Sequence, residues 1–417
     1  MQYGLNDKPP FVPLMLYGLQ WWVVTLPCLV IMGVVVARLH YPDLAQHVAY
    51  LQKLFILLGL ATAIQALSGH RLPLIMGPAS TLLVGIVATL SSGVEAIYTA
   101  ILIGGALLAV LSFSGLLARF RRFFTSRIVA VILVLIAFTI TPTILNLLTS
   151  GTNAVLHLCF ALAMVFILVL LNTRLSGIWK SLTVIFGMTG GSAAHVLMFG
   201  VPEFVYDSQG PGLPLFLPGL DINPGAVLSF LFCFLALTIN ELGSIESVGH
   251  LLNADGMEKR VRNGAGLQGL TNMAAGALGV IGPVDFSMSA GLIGATGCAS
   301  RHTLVPAGIF LVACGLSSTV VLGLCLIPGP VMGALLLYLM ATQLASGLGM
   351  LVREKGITDF DSGVIVALPL MVGLVVAFAP KAAFAGLPDL LRPVVANGFV
   401  MGTMAVLVLE HGVFRKR

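Results

Sequence analysis

The stretches RLPLIMGPASTLLVGI (71–86) and GVIGPVDFSMSAGLIGA (279–295) decide how this sequence folds. Each carries a Gly-Pro pair, which is followed by small and polar residues and then by another glycine. Proline inside a helix removes a backbone hydrogen bond and clashes with the preceding turn. We therefore expect both segments to be broken, with an extended first half followed by a short helix.

The rest of the chain is too apolar for a soluble protein. Of its 417 residues, 58% are hydrophobic and 9% are charged, whereas soluble proteins have roughly 25% charged residues. Charge clusters and Pro/Gly breaks divide the chain into about fourteen segments that approach the roughly 20 apolar residues of a membrane-spanning helix. We predict an all-α polytopic membrane protein, in which the broken segments meet near the middle of the bilayer. The expected spans begin near residues 11, 47, 72, 94, 124, 152, 177, 223, 263, 283, 303, 327, 360 and 389.

The two Gly-Pro pairs, at 77–78 and 282–283, lie about half a chain apart. Seven spans in each half would place the halves in opposite orientations, and interrupted segments at matching positions of inverted halves point to a transporter's binding site. We therefore predict two inverted repeats, residues 1–210 and 211–417, joined by an extracellular loop at 201–222. The alternative is that proline and glycine are simply frequent in membrane helices.

Basic residues set the expected orientation in the membrane. If the N-terminus is cytoplasmic, most of the 21 Lys and Arg fall in inside loops, including a cluster at 119–127 and the tail at 415–417. This asymmetry follows the positive-inside rule. We therefore predict that the chain is embedded in the inner (cell) membrane and that both termini lie on the cytoplasmic side. The formal charge of +5 is explained by these loops and indicates no nucleic-acid partner. The six cysteines form no CxxC pair, and we interpret them as packing residues rather than metal ligands.

Polar residues interrupt the apolar span that contains NELGSIESVGHLL (240–252). Glu246 and His250 are four residues apart and share a helix face, whereas Glu241 points about 140° away from Glu246. Because charges inside the membrane are costly, such residues usually line a cavity or a proton path. We expect Glu246 and His250 to bind substrate and Glu241 to be a buried tether. Asp285, beside the second broken point, is predicted either to cap the short helix or to take part in proton coupling.

Three motifs carry a resemblance to the nucleobase–ascorbate transporters, also called nucleobase–cation symporters. ESVGHL (246–251) resembles the Glu-x-Val-Gly-His segment of the uracil-permease branch, and FSMSAGLIGATGCASR (286–301) is similar to the tenth-span signature of the purine branch. LQGLTNMAAGALG (267–279) resembles the ninth span. The resemblance runs along most of the chain. It implies a homodimer whose core domain moves against a gate domain, and symport of a nucleobase-like molecule with a proton or with sodium.

The chain departs from the family pattern where the substrate is expected. The family's tenth-span Gln or Glu followed by Asn is Met288 and Ser289 here, its first-span Gln-His is Gln20-Trp21, and its third-span aromatic is Ser80. A methionine cannot copy the hydrogen bond that the family's Gln or Glu makes to the base. The expected proton-coupling residues are Glu246 and Asp285, and the expected substrate-binding residues are Glu246, His250, Met288, Ser289, Ser80, Ala79, Gln20, Trp21 and Phe286.

Two other classes of function were weighed against this one. Sulfate and bicarbonate carriers share the expected architecture, and an anion transporter or channel would use the positive ends of the two half-helices. Glu246 argues against that class, because its negative charge would repel the ligand. An integral membrane enzyme is disfavoured, since the HExxH, nucleophile-elbow and P-loop patterns are all missing from the sequence. We predict no cofactor.

Overall fold

The computed structural model describes residues 2–117, 125–150, 153–176, 179–180, 182–200, 213–217, 219–286, 288–384, 386–388 and 391–414. The expected connector at 201–222, most of the basic cluster at 119–127 and the tail at 415–417 lie wholly or largely outside these residues. The first nine α-helices are α1 (Phe11–His40), α2 (Leu44–Ser68), α3 (Ser80–Ala88), α4 (Val94–Phe113), α5 (Ser126–Thr139), α6 (Thr141–Leu148), α7 (Ala154–Arg174), α8 (Thr183–Phe199) and α9 (Pro224–Leu251). The remainder are α10 (Met257–Leu278), α11 (Ser289–Thr296), α12 (Leu304–Leu316), α13 (Ser318–Cys325), α14 (Gly329–Arg353), α15 (Phe360–Phe378), α16 (Arg392–Val395) and α17 (Gly398–Val408).

Eight helical segments in the described part of the chain are long and apolar enough to cross a membrane. They are α1, α2, α4, α5 with α6, α7, α9, α14 and α15. A ninth is added if the segment Arg301–Leu316 and α13, which meet at a bend of 85°, count as one span. A helix lies close to each of the expected starts. The prediction of a mostly helical chain with several apolar spans is confirmed, whereas fourteen spans in two inverted repeats stay a prediction.

The two Gly-Pro segments are broken and pair with each other. Strand β1 (Met76–Pro78) runs antiparallel to strand β2 (Pro283–Asp285), with Met76 opposite Asp285 and Pro78 opposite Pro283. Beyond the prolines, the Ala79 N–H donates to the Gly282 carbonyl at 3.0 Å. Helix α3 begins two residues after β1, and α11 begins four residues after β2. The predicted extended stretches, each followed by a half-helix, are therefore confirmed.

The long helices pack in two groups. Helices α1–α4 and α9–α13 pack mainly against one another and form what we call the core group, which contains both strands. Helices α5–α8, α14, α15 and α17 form the gate group. Small residues bring helices together within the core group: a side chain at Gly269 of α10 would meet the Ala109 backbone of α4 at 2.4 Å. Close backbone approach at glycine is typical of helix packing in membranes.

Helix ends are defined by polar caps in an otherwise apolar sequence. The Asn223 side chain accepts the Ala226 N–H at 3.0 Å, and Pro224 occupies the first turn of α9. Both are preferred at helix N-termini, since the first N–H groups lack partners inside the helix. The start of α15 has a capping box between Asp359 and Ser362.

Candidate functional site

Helix α9 presents Glu241 and Ser244 to strand β2. The Asp285 N–H donates to Glu241 Oε2 at 3.0 Å, and Ser244 Oγ donates to the Asp285 carbonyl at 3.0 Å. The two side chains on α9 are three residues apart, which places them on the same helix face. The carboxyl side chains of Glu241 and Asp285 are both fully buried. The tether predicted for Glu241 is confirmed, and the partner that it holds is the broken segment itself.

His70, which follows the end of α2, approaches the carboxyl group of Asp285. Its Nε2 lies 3.1 Å from Asp285 Oδ2, and both side chains are fully buried. The two atoms are within ion-pair distance but are not aligned as a hydrogen bond. Because His70 Nδ1 accepts the Leu72 N–H at 2.9 Å, the proton of the neutral ring is on Nε2. We call Glu241, Asp285 and His70 the carboxyl cluster.

Amide side chains of α10 hold the other end of β2. Gln268 Nε2 and Asn272 Nδ2 both donate to the Pro283 carbonyl, the second at 3.2 Å. They are four residues apart on α10 and therefore lie on one face. Proline has no N–H to contribute to a strand ladder, so side chains from the neighbouring helices complete the hydrogen bonding of this short strand. The broken segment is thus held by α9 and α10 together.

Several of the expected substrate-binding residues are engaged inside the protein. Ser289 is fully buried, and its Oγ donates to the Phe286 carbonyl and accepts the Ile75 N–H. The Trp21 indole is buried and donates to Thr303 Oγ1 at 3.0 Å. Ala79 is buried with its N–H bound to Gly282, as described above. Ser289 and Ala79 thus support the broken segments and Trp21 binds a residue outside them, although the sequence positions of all three predicted substrate contact.

Four other candidates keep surface that is not fully buried, and three of them, Phe286, Met288 and Ser80, lie at or just before the starts of the half-helices. Met288 is 43% exposed, and Phe286 and Gln20 are partly buried. Ser80 Oγ donates to Gln343 Oε1 of the gate group at 3.2 Å. Sequence reasoning missed Gln343, although an amide within the apolar helix α14 was a visible signal.

Glu246 and His250 do not join the broken segments in this structure. Glu246 is partly buried and lines a cavity of about 430 Å³ with Lys259, Arg262 and other residues of α4, α9 and α10 and the turn after α4. No described residue of the strands, α3 or α11 lines this cavity. His250 is exposed.

The expectation of one shared site is therefore corrected. Because Glu241 faces β2, Glu246, about 140° further around the helix, faces away from it. Whether Glu246 and His250 bind substrate stays a prediction.

Two extended segments, paired between half-helices at the heart of a bundle of membrane helices, define a membrane transporter. The family model Xan_ur_permease, described as "Permease family", matches residues 13–382. The chain belongs to this family of permeases and is not an enzyme.

Similar proteins extend along nearly the whole chain. "Putative purine permease CPE0397" of Clostridium perfringens is 27% identical over 98% of this chain and 92% of that protein. The uric acid permease PucK of Bacillus subtilis is 26% identical over 84% of this chain and 82% of that protein. The transmembrane domain of the cyanobacterial bicarbonate transporter BicA superposes with a TM-score of 0.66 at 14% identity, covering 94% of this chain and 100% of that chain. That last likeness shows the fold alone.

Proposed function

We propose that the protein is a secondary transporter that carries a purine-type nucleobase across the inner membrane together with a proton. The observation that carries this proposal is the similarity to purine and uric acid permeases along most of the chain. The paired strands support it, since broken segments of this kind supply the midplane binding site in many transporters. Sodium is the alternative coupling ion.

The substrate site that the geometry supports best lies at the starts of α3 and α11. The first N–H groups of a helix carry partial positive charge and suit the carbonyl oxygens of an oxidised purine. Met288, Phe286 and Ser80 lie at this place and supply apolar surface and a hydroxyl group, and Gln20 is a further candidate contact from α1. Glu246 and His250 remain candidate contacts for another conformation of the helices.

Transport in this proposal is a movement of the core group against the gate group. The proposal includes fourteen spans in two inverted repeats, residues 1–210 and 211–417, with both termini in the cytoplasm. A homodimer would hold the gate groups fixed while the core groups move. These features follow from the sequence pattern and the family resemblance.

An anion transporter on the same fold is the second candidate, and the likeness to a bicarbonate transporter motivates it. The carboxyl cluster disfavours it. Two buried acidic side chains lie at this strand, Asp285 within β2 and Glu241 against it, and any negative charge on them weakens the attraction of the half-helix ends for an anion.

The test is uptake by purified protein in proteoliposomes under an inward proton gradient. Xanthine, uric acid, hypoxanthine, uracil, bicarbonate and sulfate are offered as labelled substrates. We expect saturable uptake of at least one purine that a proton ionophore abolishes. Uptake of bicarbonate or sulfate without uptake of any base would refute the proposal and support the anion carrier. Purine uptake driven by a sodium gradient alone would show that the coupling ion is sodium and not a proton.

A further inference from the structure

We propose that the coupling proton is held by the carboxyl cluster, between Glu241 and Asp285, and not by Glu246. The inference rests on the proposed proton-coupled transport. It assigns the proton to a site behind the broken segment, on the side of β2 that faces α9. The sequence predicted proton coupling at Glu246 and Asp285, but not at Glu241.

The first argument is that two buried acidic side chains lack hydrogen-bond donors. Glu241 Oε1 and both carboxyl oxygens of Asp285 have no hydrogen-bond donor among the residues that the structure describes. The two side chains lie within hydrogen-bonding reach of each other. Two ionised carboxylates in such a place would carry a large desolvation cost, besides repelling each other. One proton shared between them removes a charge and supplies the missing donor.

The second argument concerns the cations around the cluster. From α2, His70 is neutral in the tautomer that its Leu72 contact requires, as described above. From α10, the Arg260 guanidinium donates to the backbone carbonyls of His70, Arg71 and Asp255. Arg71 and Arg301 surround Arg260 rather than the acids. No lysine or arginine among the described residues forms an ion pair with Glu241 or Asp285, so a proton is the cation that fits.

A metal ion fits this place poorly. Within the described ranges, no group of three or more His, Cys, Asp or Glu side chains has the arrangement of a metal site. The cluster presents two carboxyl groups and one imidazole N–H, and an N–H cannot ligate a cation. This geometry favours a proton over sodium.

The position of the cluster links proton binding to the substrate site. Glu241 accepts the N–H of Asp285, whose neighbour Phe286 leads directly into α11. Asp285 is also opposite Met76, so its backbone is part of the strand pair. Loss of the shared proton leaves two like charges against each other and pushes β2 away from α9. The same displacement moves the start of α11, where Met288 faces the proposed substrate.

The first experiment needs no substrate. Infrared difference spectroscopy on purified protein detects the C=O stretch of a protonated carboxyl group, which shifts in heavy water. We expect such a band to persist at neutral pH and to be lost in Glu241→Gln and in Asp285→Asn. The matched control is Glu95→Gln, an exposed acid at the start of α4, in which the band stays. A band that is absent from the parent protein, or unchanged in both cluster variants, overturns the proposal.

The second experiment measures accumulation in proteoliposomes with the membrane potential clamped. One proton per substrate accumulates a neutral base about tenfold for each unit of imposed pH difference, because about 1.4 kcal/mol is a factor of ten. We expect Glu241→Gln to exchange labelled base across the membrane but to accumulate none. Glu95→Gln should accumulate like the parent.

The outcomes separate the proton site from the proposed function. If Glu246→Gln loses accumulation while Glu241→Gln keeps it, the proton site is Glu246 and the inference is wrong. If no base is transported by the parent protein, the proposed function is wrong, and the infrared experiment alone decides the proton site. Glu241→Gln keeps an oxygen that can accept the Asp285 N–H, so this variant carries the test if Asp285→Asn fails to fold.

Discussion

Gly77 is the position at which a single added methyl group should damage the site most directly. It lies in β1, opposite Val284, and the ring of Phe286 covers it. A Cβ at Gly77 would lie 2.2 Å from Phe286 Cζ and 2.4 Å from its Cε2. Ordinary contact begins at 3.4 Å, so the ring would have to withdraw by about 1.2 Å.

The cost of Gly77→Ala follows from what holds Phe286. Its N–H donates to the Ile75 carbonyl at 2.9 Å, and its carbonyl accepts from Ser289 Oγ. The ring therefore cannot move without disturbing the backbone that leads into α11. Overpacking of this kind destabilises proteins by about 1–3 kcal/mol. We expect Gly77→Ala to lower both the thermal stability of the protein and its affinity for substrate.

Thermal unfolding in detergent, with and without substrate, measures both effects. The matched control is Gly349→Ala in α14, where the added Cβ meets no atom within 4 Å. Alanine is a better helix former than glycine by about 0.5–1 kcal/mol, so this control should be neutral or slightly stabilising. A Gly77→Ala variant as stable as the parent, with unchanged affinity, would refute the packing of Phe286 on β1.

Three further predictions concern other contacts, and they use substitutions at four positions, each measured by thermal unfolding against the parent protein. Met288→Gln should raise affinity for a purine by restoring an amide at an exposed position. If this variant binds no base more tightly than the parent protein does, the substrate lies elsewhere. Ser289→Asn should lower stability because Ser289 is fully buried. Tyr50→Phe should cost about 1–3 kcal/mol, since its buried hydroxyl accepts the Ile281 N–H at 2.8 Å, and an unchanged melting temperature would contradict that contact. Asn397→Ala should cost about 0.5–2 kcal/mol by uncapping α17, and Asn397→Asp, which keeps the accepting oxygen, should recover part of the loss.

The broken segments could be predicted because their cause is local. Pro78 and Pro283 each remove a helical hydrogen bond and clash with the preceding turn, and adjacent glycines add to the effect, whereas Pro27 and Pro369 are accommodated inside α1 and α15. The sequence predicts that the two segments approach each other, but not that they pair as antiparallel strands. Its register depends on side chains of α9 and α10 that are remote in sequence.

The carboxyl cluster could not be predicted because its cause is the rotation of α9. The spacing of Glu241 and Glu246 sets the angle between them, but not which of the two faces β2. The family motif directed attention to Glu246, and the structure places Glu241 against the strand. His70 lies far away in sequence, at the end of α2, and no local pattern connects it with Asp285.

The hydrogen bond between Ser80 and Gln343 has an energetic consequence for the working cycle. It joins the start of a core half-helix to α14 of the gate group at 3.2 Å. A single neutral hydrogen bond contributes about 0.5–1.5 kcal/mol net, which corresponds to a roughly two- to tenfold bias between two conformers. If the core group moves against the gate group as proposed, this bond alone favours the present conformer by only that factor, and a ligand of modest differential affinity for the other conformer is enough to offset it.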